Sequence, residues 1–158
     1  MLKYVVAAAS VGGITLLGGQ LLRMMPKEAL PELSAHDNAV LQMDPELHGL
    51  MLRLRVYARF QKVAFQTMLA NAVALITLSL KQHQGYHSSM AALPRQAAGH
   101  ISGIIENVRL LRAVTKRRVG TNPGVMEEFD DVAGGIQTSC TNMQHNITLG
   151  VQYALTNK

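Results

Sequence analysis

Residues 94–124 read PRQAAGHISGIIENVRLLRAVTKRRVGTNPG and contain one helix, its stop signal and the start of another helix. Apolar or small residues recur every three or four positions, which is the spacing of one buried helical face. The cations from Lys116 to Arg118 come where the helix dipole favours positive charge, and Gly120 suits the residue after a helix end. This stretch therefore predicts a helix over 94–119.

The chain on both sides of this stretch continues the helical pattern. Asn122 and Pro123 form a cap and a first helical position, and the apolar stripe that follows predicts a helix over 123–156. Upstream, Asp44-Pro45-Glu46 begins another stripe, which predicts one helix over 44–82. Because short turns join antiparallel helices, the predicted fold class is all-α, with a three-helix antiparallel bundle of long helices over 44–158.

The N-terminal segment has the properties of a transmembrane anchor. No residue from Tyr4 to Leu22 is charged, and Pro26 and Pro31 follow. A helix of about 20 apolar residues is needed to cross a bilayer. We therefore expect a transmembrane helix within residues 1–25 and a proline-containing neck over 26–43. A cleaved signal peptide and a buried core helix are the competing interpretations.

Small residues in this segment suit contact with a second helix. Ala8 and Gly12 lie four positions apart, and so do Ala9 and Gly13. This spacing puts small side chains on one helical face, where another helix can approach closely in a membrane. The pattern predicts self-association through the N-terminal helix.

A second apolar stretch competes with this single-pass interpretation. The residues from Val63 to Leu80 carry no charge and are as apolar as the N-terminal segment. Gln66 and Asn71 would need polar partners near the bilayer centre, and the helical stripe already explains the apolar residues as core. We therefore favour one membrane span over two.

Positive charge is concentrated in the middle of the chain. The net charge is +5 for residues 94–122 and −3 for residues 123–158, so the acidic segment can neutralise part of it within the fold. Few aromatic residues are present to stack on bases, so nucleic acid is a disfavoured partner, whereas lipid headgroups and acidic proteins fit. The predicted basic docking face consists of Arg53, Arg55, Arg59, Lys62, Arg109, Arg112, Lys116, Arg117 and Arg118.

The histidines do not complete a metal-binding motif. His83 and His87 have the spacing of two ligands on one helical face, and so do Glu32 and His36. Gly85 lies between the two histidines, and no further ligand is obvious near either pair. We therefore expect no metal and no cofactor.

The remaining polar residues do not form a recognisable catalytic motif. Ser139 and Cys140 lack an identifiable base and an oxyanion site. The acidic cluster that includes Glu127 and Asp131 suits the first turns of a helix. The chain is therefore not expected to be an enzyme, and the alternative is a small membrane enzyme that uses His83, His87, Glu127 and Asp131.

The function predicted from these features is structural. The chain is expected to be a membrane-anchored structural or scaffolding protein that links a membrane to a larger protein assembly. A minor structural (capsid) protein at the internal membrane of a virion is the setting considered first. The alternatives are an accessory subunit of an organellar membrane complex and a basic helical module that binds anionic lipid or nucleic acid.

Overall fold

The computed structural model describes residues 33–84, 90–120 and 122–156, which are almost entirely helical and contain no strand. The predicted all-α fold class is confirmed for these residues. Within them the chain forms five α-helices, namely α1 (Ala35–Leu41), α2 (Pro45–Leu54), α3 (Lys62–Gln84), α4 (Leu93–Val119) and α5 (Pro123–Thr156). Two 3₁₀ segments, Arg55–Arg59 and Met90–Ala92, come before α3 and α4.

The predicted membrane anchor lies outside the described residues, and so do Ala8, Ala9, Gly12 and Gly13. The described part of the predicted neck contains helix α1. Its start is capped by Ser34, whose Oγ accepts a hydrogen bond from Asp37 N at 3.1 Å. Leu41, at its end, is fully buried in the same core as the other helices. This helix is therefore part of the folded domain.

Side-chain caps fix the starts of two longer helices. Asp44 Oδ1 accepts a hydrogen bond from Leu47 N at 3.1 Å at the start of α2. Asn122 Oδ1 accepts one from Val125 N at 3.4 Å at the start of α5. At the end of α4, Gly120 has φ 62° and donates its N–H to Lys116 O at 3.0 Å. These are the local signals from which the sequence predicted the helix ends.

The single helix predicted over 44–82 is wrong, because the chain bends between α2 and α3. Four consecutive residues of the 3₁₀ segment, from Arg55 to Ala58, are buried. One side of a continuous α-helix cannot bury four residues in a row, since each residue turns by about 100°. The 3₁₀ segment contacts both α3 and α4 as well as α2, so its side chains are covered on several sides. Because the apolar spacing continues through the bend, the sequence pattern alone predicted one uninterrupted helix.

Close helix packing depends on small residues at two contacts. Helix α4 packs against both α3 and α5, and α2 packs against α5. A Cβ atom at Gly103 of α4 would lie 2.5 Å from Nδ2 of Asn71 in α3. A Cβ atom at Gly135 of α5 would lie 2.9 Å from Cδ2 of Leu50 in α2. These glycines therefore let neighbouring helices approach more closely than alanine would.

Helix α3 is long and apolar enough to cross a membrane. Its mean hydropathy is 1.7 over an 18-residue window, of which 44% is buried within the fold. Phe65, Met68 and Leu75 lie in the core, whereas Gln66 and Thr67 are exposed. A core helix of a domain in water and a membrane-spanning helix both have this length and composition.

Candidate functional site

The nine cations predicted to form one docking face occupy two different environments. Those at the bend between α2 and α3 are withdrawn from the surface: Arg55 is only 2% exposed, and Arg53, Arg59 and Lys62 are partly buried. The cations on α4 lie nearer the surface. Arg55 is therefore excluded from a docking surface, because a buried guanidinium cannot reach a partner.

The bend carries an internal charge cluster. Tyr57 packs edge-on against Phe129 of α5, and its hydroxyl donates to Val125 O at 3.5 Å. Partial burial raises the pKa of Glu128, while the nearby charge of Arg53 acts in the opposite direction. Burial also raises the pKa of Tyr57, and the charge of Glu128 adds to that shift. The charge of Arg53 therefore offsets part of the effect of burial on Glu128.

A second charge pair joins α4 to α5 at the surface. Arg112 Nε donates to Asp130 Oδ1 at 2.6 Å, and Arg112 Nη2 donates to Asp130 Oδ2 at 3.0 Å. These two parallel bonds form the fork-shaped geometry that arginine makes with carboxylates. The hydrogen bond from Arg112 lowers the pKa of Asp130. The acidic start of α5 thus neutralises part of the basic charge, as the sequence suggested.

Four cations remain exposed on the second half of α4, and we call them the basic α4 surface. They are Arg109, Lys116, Arg117 and Arg118. In the described part of the chain none of the four forms an ion pair. Arg109 and Lys116 lie seven positions apart and therefore on one side of the helix, whereas Arg117 and Arg118 extend the positive charge around to the other side. Their charges are therefore available to a partner.

An apolar residue lies among these cations. Leu110 is 50% exposed, although it follows Arg109 directly in the chain. A cavity of about 270 Å³ lies between α4 and α5, and its lining includes Ile105, Val108, Arg109 and Ala133. The surface thus combines positive charge with accessible apolar atoms, a combination found where helices lie at a lipid–water boundary.

The candidate metal ligands do not come together in the described residues. His83 is exposed, and its ring Nδ1 is bonded to Ser79 O at 2.7 Å. His36 is also exposed, while His87 and Glu32 lie outside the described residues. No group of three or more His, Cys, Asp or Glu side chains with the geometry of a metal site occurs within the described ranges.

The candidate nucleophiles lie in the interior. Cys140 is fully buried, and burial raises the pKa of its thiol to about 12, with the charge of Asp44 acting in the same direction. Ser139 is 8% exposed. His145, which follows them in the same helix, is exposed. Glu127 and Asp131 of the alternative enzyme site are exposed at the start of the same helix.

No known protein family, no curated protein and no solved structure matches this chain. Sequence reasoning did not single out Tyr57, because the apolar spacing continues on both sides of it. It also missed the polar row Ser139, Asn142 and Asn146, which follows a 3-4 spacing along α5.

Proposed function

We propose that this chain is a membrane-anchored structural protein whose basic α4 surface contacts anionic lipid headgroups beside its anchor. The segment from Tyr4 to Leu22 is the anchor, and the helices beyond it form an antiparallel bundle. This bundle links the membrane to a larger protein assembly. A minor structural protein of a membrane-containing virion and an accessory subunit of an organellar membrane complex both fit this role.

The observation that carries the proposal is the exposure of four cations on the second half of α4, none of which forms an ion pair with another described residue. Arg109, Lys116, Arg117 and Arg118 are all exposed. Each cation close to an anionic membrane contributes about 1 kcal/mol to binding. The exposed Leu110 beside them favours a lipid surface over an acidic protein, because a leucine gains free energy on entering the interface.

Helix α3 belongs to the bundle in this proposal, so the protein has a single span. A single span is supported by the amphipathic burial of α3, in which Phe65 and Leu75 are buried and Gln66 and Thr67 are exposed. The Thr67 hydroxyl donates to Val63 O at 2.9 Å, but the exposed Gln66 amide would have no water to bind in a bilayer. In a water-exposed bundle the Gln66 amide can bind water.

The anchor is tested by carbonate extraction of membranes that contain either the full chain or a chain lacking residues 1–25. We expect the full chain to stay in the membrane and the shortened chain to be released, with circular dichroism to check that it remains helical. Retention of the shortened chain after carbonate treatment would overturn the single span, because α3 would then be crossing the bilayer.

The basic α4 surface is tested by flotation of the shortened chain with vesicles that contain phosphatidylserine. Neutralising Lys116 and Arg117 in K116Q/R117Q should weaken binding by about 30-fold, since two headgroup contacts are lost. The control K81Q/R95Q removes two other exposed cations. If both double variants lose the same amount of vesicle binding, only the net charge of the protein matters and the basic α4 surface has no specific role.

A further inference from the structure

A polar groove lies between α3 and α5, away from the basic α4 surface. Its volume is about 680 Å³, and the described residues around it come from the start of α2, the last turns of α3 and the second half of α5. The polar side chains in its lining include Asp44, Glu46, His83, Ser139, Asn142 and Asn146. The groove and the basic surface are therefore formed by different helices.

One polar atom in this lining lacks a partner. Ser139 is 8% exposed, and its Oγ is buried without a hydrogen bond. A buried hydroxyl that forms no hydrogen bond costs about 1 to 3 kcal/mol. Two threonines on this helix avoid that cost, because the hydroxyl of Thr141 donates to Gln137 O at 2.8 Å and that of Thr148 to Gln144 O at 3.0 Å. The Oγ atom of Ser139 is thus a buried polar atom of the groove lining that forms no hydrogen bond within the described residues.

The groove is negative in a protein with a net charge of +5. Asp44 and Glu46 contribute two carboxylates, and no lysine or arginine is among the described residues of the lining. Asp44 uses Oδ1 to cap α2, which leaves Oδ2 available to another donor. A cation would therefore be attracted to the α2 end of the groove.

His83 adds a further acceptor at the α3 side. Its Nδ1 lies 2.7 Å from Ser79 O. A carbonyl oxygen can only accept, so Nδ1 carries the hydrogen, and in the neutral ring Nε2 is then an acceptor. The carbonyl oxygens of the Asn142 and Asn146 side chains can accept in the same way. These acceptors can bind the N–H groups of a ligand, while the amide NH2 groups of Gln82, Asn142 and Asn146 are donors in the same lining.

Apolar side chains form the rest of the wall. Ile76, Leu80 and Met143 lie in the lining, together with Met43, which is 62% exposed. No aromatic residue is among the described lining residues, so a cation–π cage for a quaternary ammonium group is absent there. Methylene groups fit this wall, and flexible methionines adapt to their shape.

We propose that this groove binds a linear aliphatic amine, whose ammonium group is held by Asp44 and Glu46 and whose methylene chain lies along Ile76, Leu80 and Met143. The Ser139 hydroxyl accepts a hydrogen bond from the amine and thereby gains its missing partner. A metal ion is a poorer occupant, because no cluster of three ligating side chains is present in the described residues.

Isothermal titration of the full chain in a nonionic detergent tests this site. The probe is 1,5-diaminopentane, and its matched control is 1,5-pentanediol, which has the same number of heavy atoms without the charges. We expect a Kd below about 1 mM for the diamine and binding at least about tenfold weaker for the diol. No binding of the diamine at about 10 mM, or equal binding of the diol, would overturn the proposal.

Three variants locate the binding. D44N/E46Q removes both charges while asparagine still caps α2, and it should weaken diamine binding by at least about tenfold. D131N removes an exposed acid outside the groove and should bind as the unmodified chain does. S139A should weaken binding by about threefold or more and leave the ligand-free protein at least as thermally stable, because an unsatisfied hydroxyl is removed.

Two outcomes with these variants would contradict the proposed amine site. If D131N weakens binding as much as D44N/E46Q, the diamine is attracted only by overall charge and the groove is not a site. If S139A leaves the affinity unchanged, Ser139 has no part in recognition and the assignment of its hydroxyl is wrong. If D44N/E46Q unfolds by circular dichroism, the single variant E46Q, at an exposed position, decides the outcome by the same tenfold criterion.

Discussion

Tyr57 meets Phe129 edge-on, with ring centroids 4.9 Å apart and ring planes at 83°. Tyr57 is in the bend between α2 and α3, and Phe129 is in the first turns of α5. Both side chains are almost completely buried. This contact therefore fixes the bend against the last helix and brings Arg53 close to Glu128.

Removal of the Tyr57 ring should be among the most destabilising changes in the chain. We expect Tyr57→Ala to lower the free energy of unfolding by about 3 to 5 kcal/mol, because a large aromatic cavity results. Tyr57→Phe keeps the ring and loses only a long hydrogen bond, so its cost should be below about 1 kcal/mol. Urea unfolding followed by circular dichroism measures both. Similar effects of the two variants would contradict the importance of the ring contact.

Two glycines of α4 should respond in opposite ways to alanine. Gly99 has nothing within 4 Å of an added Cβ atom, so Gly99→Ala should raise stability by about 0.5 to 1 kcal/mol through helix propensity. At Gly103 the new atom would displace Asn71, whose side chain bonds to Thr67 O at 3.1 Å and to His100 at 3.2 Å.

Gly103→Ala should therefore be about 1 to 3 kcal/mol less stable than Gly99→Ala, as expected for overpacking between helices. Thermal unfolding of the two variants side by side provides the comparison. Equal stabilities of the two variants would mean that a Cβ atom at position 103 does not disturb the packing of α3 against α4.

The pair Arg112 and Asp130 should make stability depend on acid pH. The hydrogen bond from Arg112 puts the pKa of Asp130 in the folded state below its usual value of 3.8. A carboxyl whose pKa is lower in the folded state stabilises the fold above its unfolded pKa, and that stabilisation is lost as the pH falls through the folded pKa.

Arg112→Gln should thus be less stable than the unmodified chain at pH 7, and the difference should shrink as the pH falls below about 4. Arg109→Gln removes a neighbouring exposed cation without an ion pair and serves as the matched control. Unfolding measured at several pH values tests this, and a difference that does not change with pH would contradict it.

Cys140 should be unreactive in the folded protein. Burial raises the pKa of the thiol to about 12, so very little thiolate exists at pH 8. A chromogenic disulfide reagent should therefore react slowly with the folded chain and at least about 100-fold faster in denaturant. Fast reaction without denaturant would show that the middle of α5 opens readily.

The sequence contained enough information for the two longest of the five described helices. The helix predicted over 94–119 corresponds to α4, Leu93–Val119, and the helix predicted over 123–156 has the bounds of α5, Pro123–Thr156. Their ends depend on Asn122, Pro123 and Gly120, whose capping groups act on backbone atoms within four residues. Signals of this short range can be read from the amino acids alone.

The candidate site was predicted only in part, because burial depends on contacts between distant residues. Sequence spacing placed Arg53 and Arg55 on one basic docking face with the cations of α4. The bend instead buries Arg55 and brings Arg53 close to Glu128, since Tyr57 packs against Phe129 of the last helix.

The amino-acid sequence by itself determined that this chain is helical, where α4 and α5 begin and end, and that positive charge collects in α4. Only the tertiary structure decided which cations stay exposed, where the first long helix bends, and that Ser139 shares a groove with Asp44. The physical reason is the distance along the chain over which each interaction acts. Helix formation and capping involve neighbours in the chain, whereas burial and electrostatic compensation involve side chains that meet only after the helices have packed.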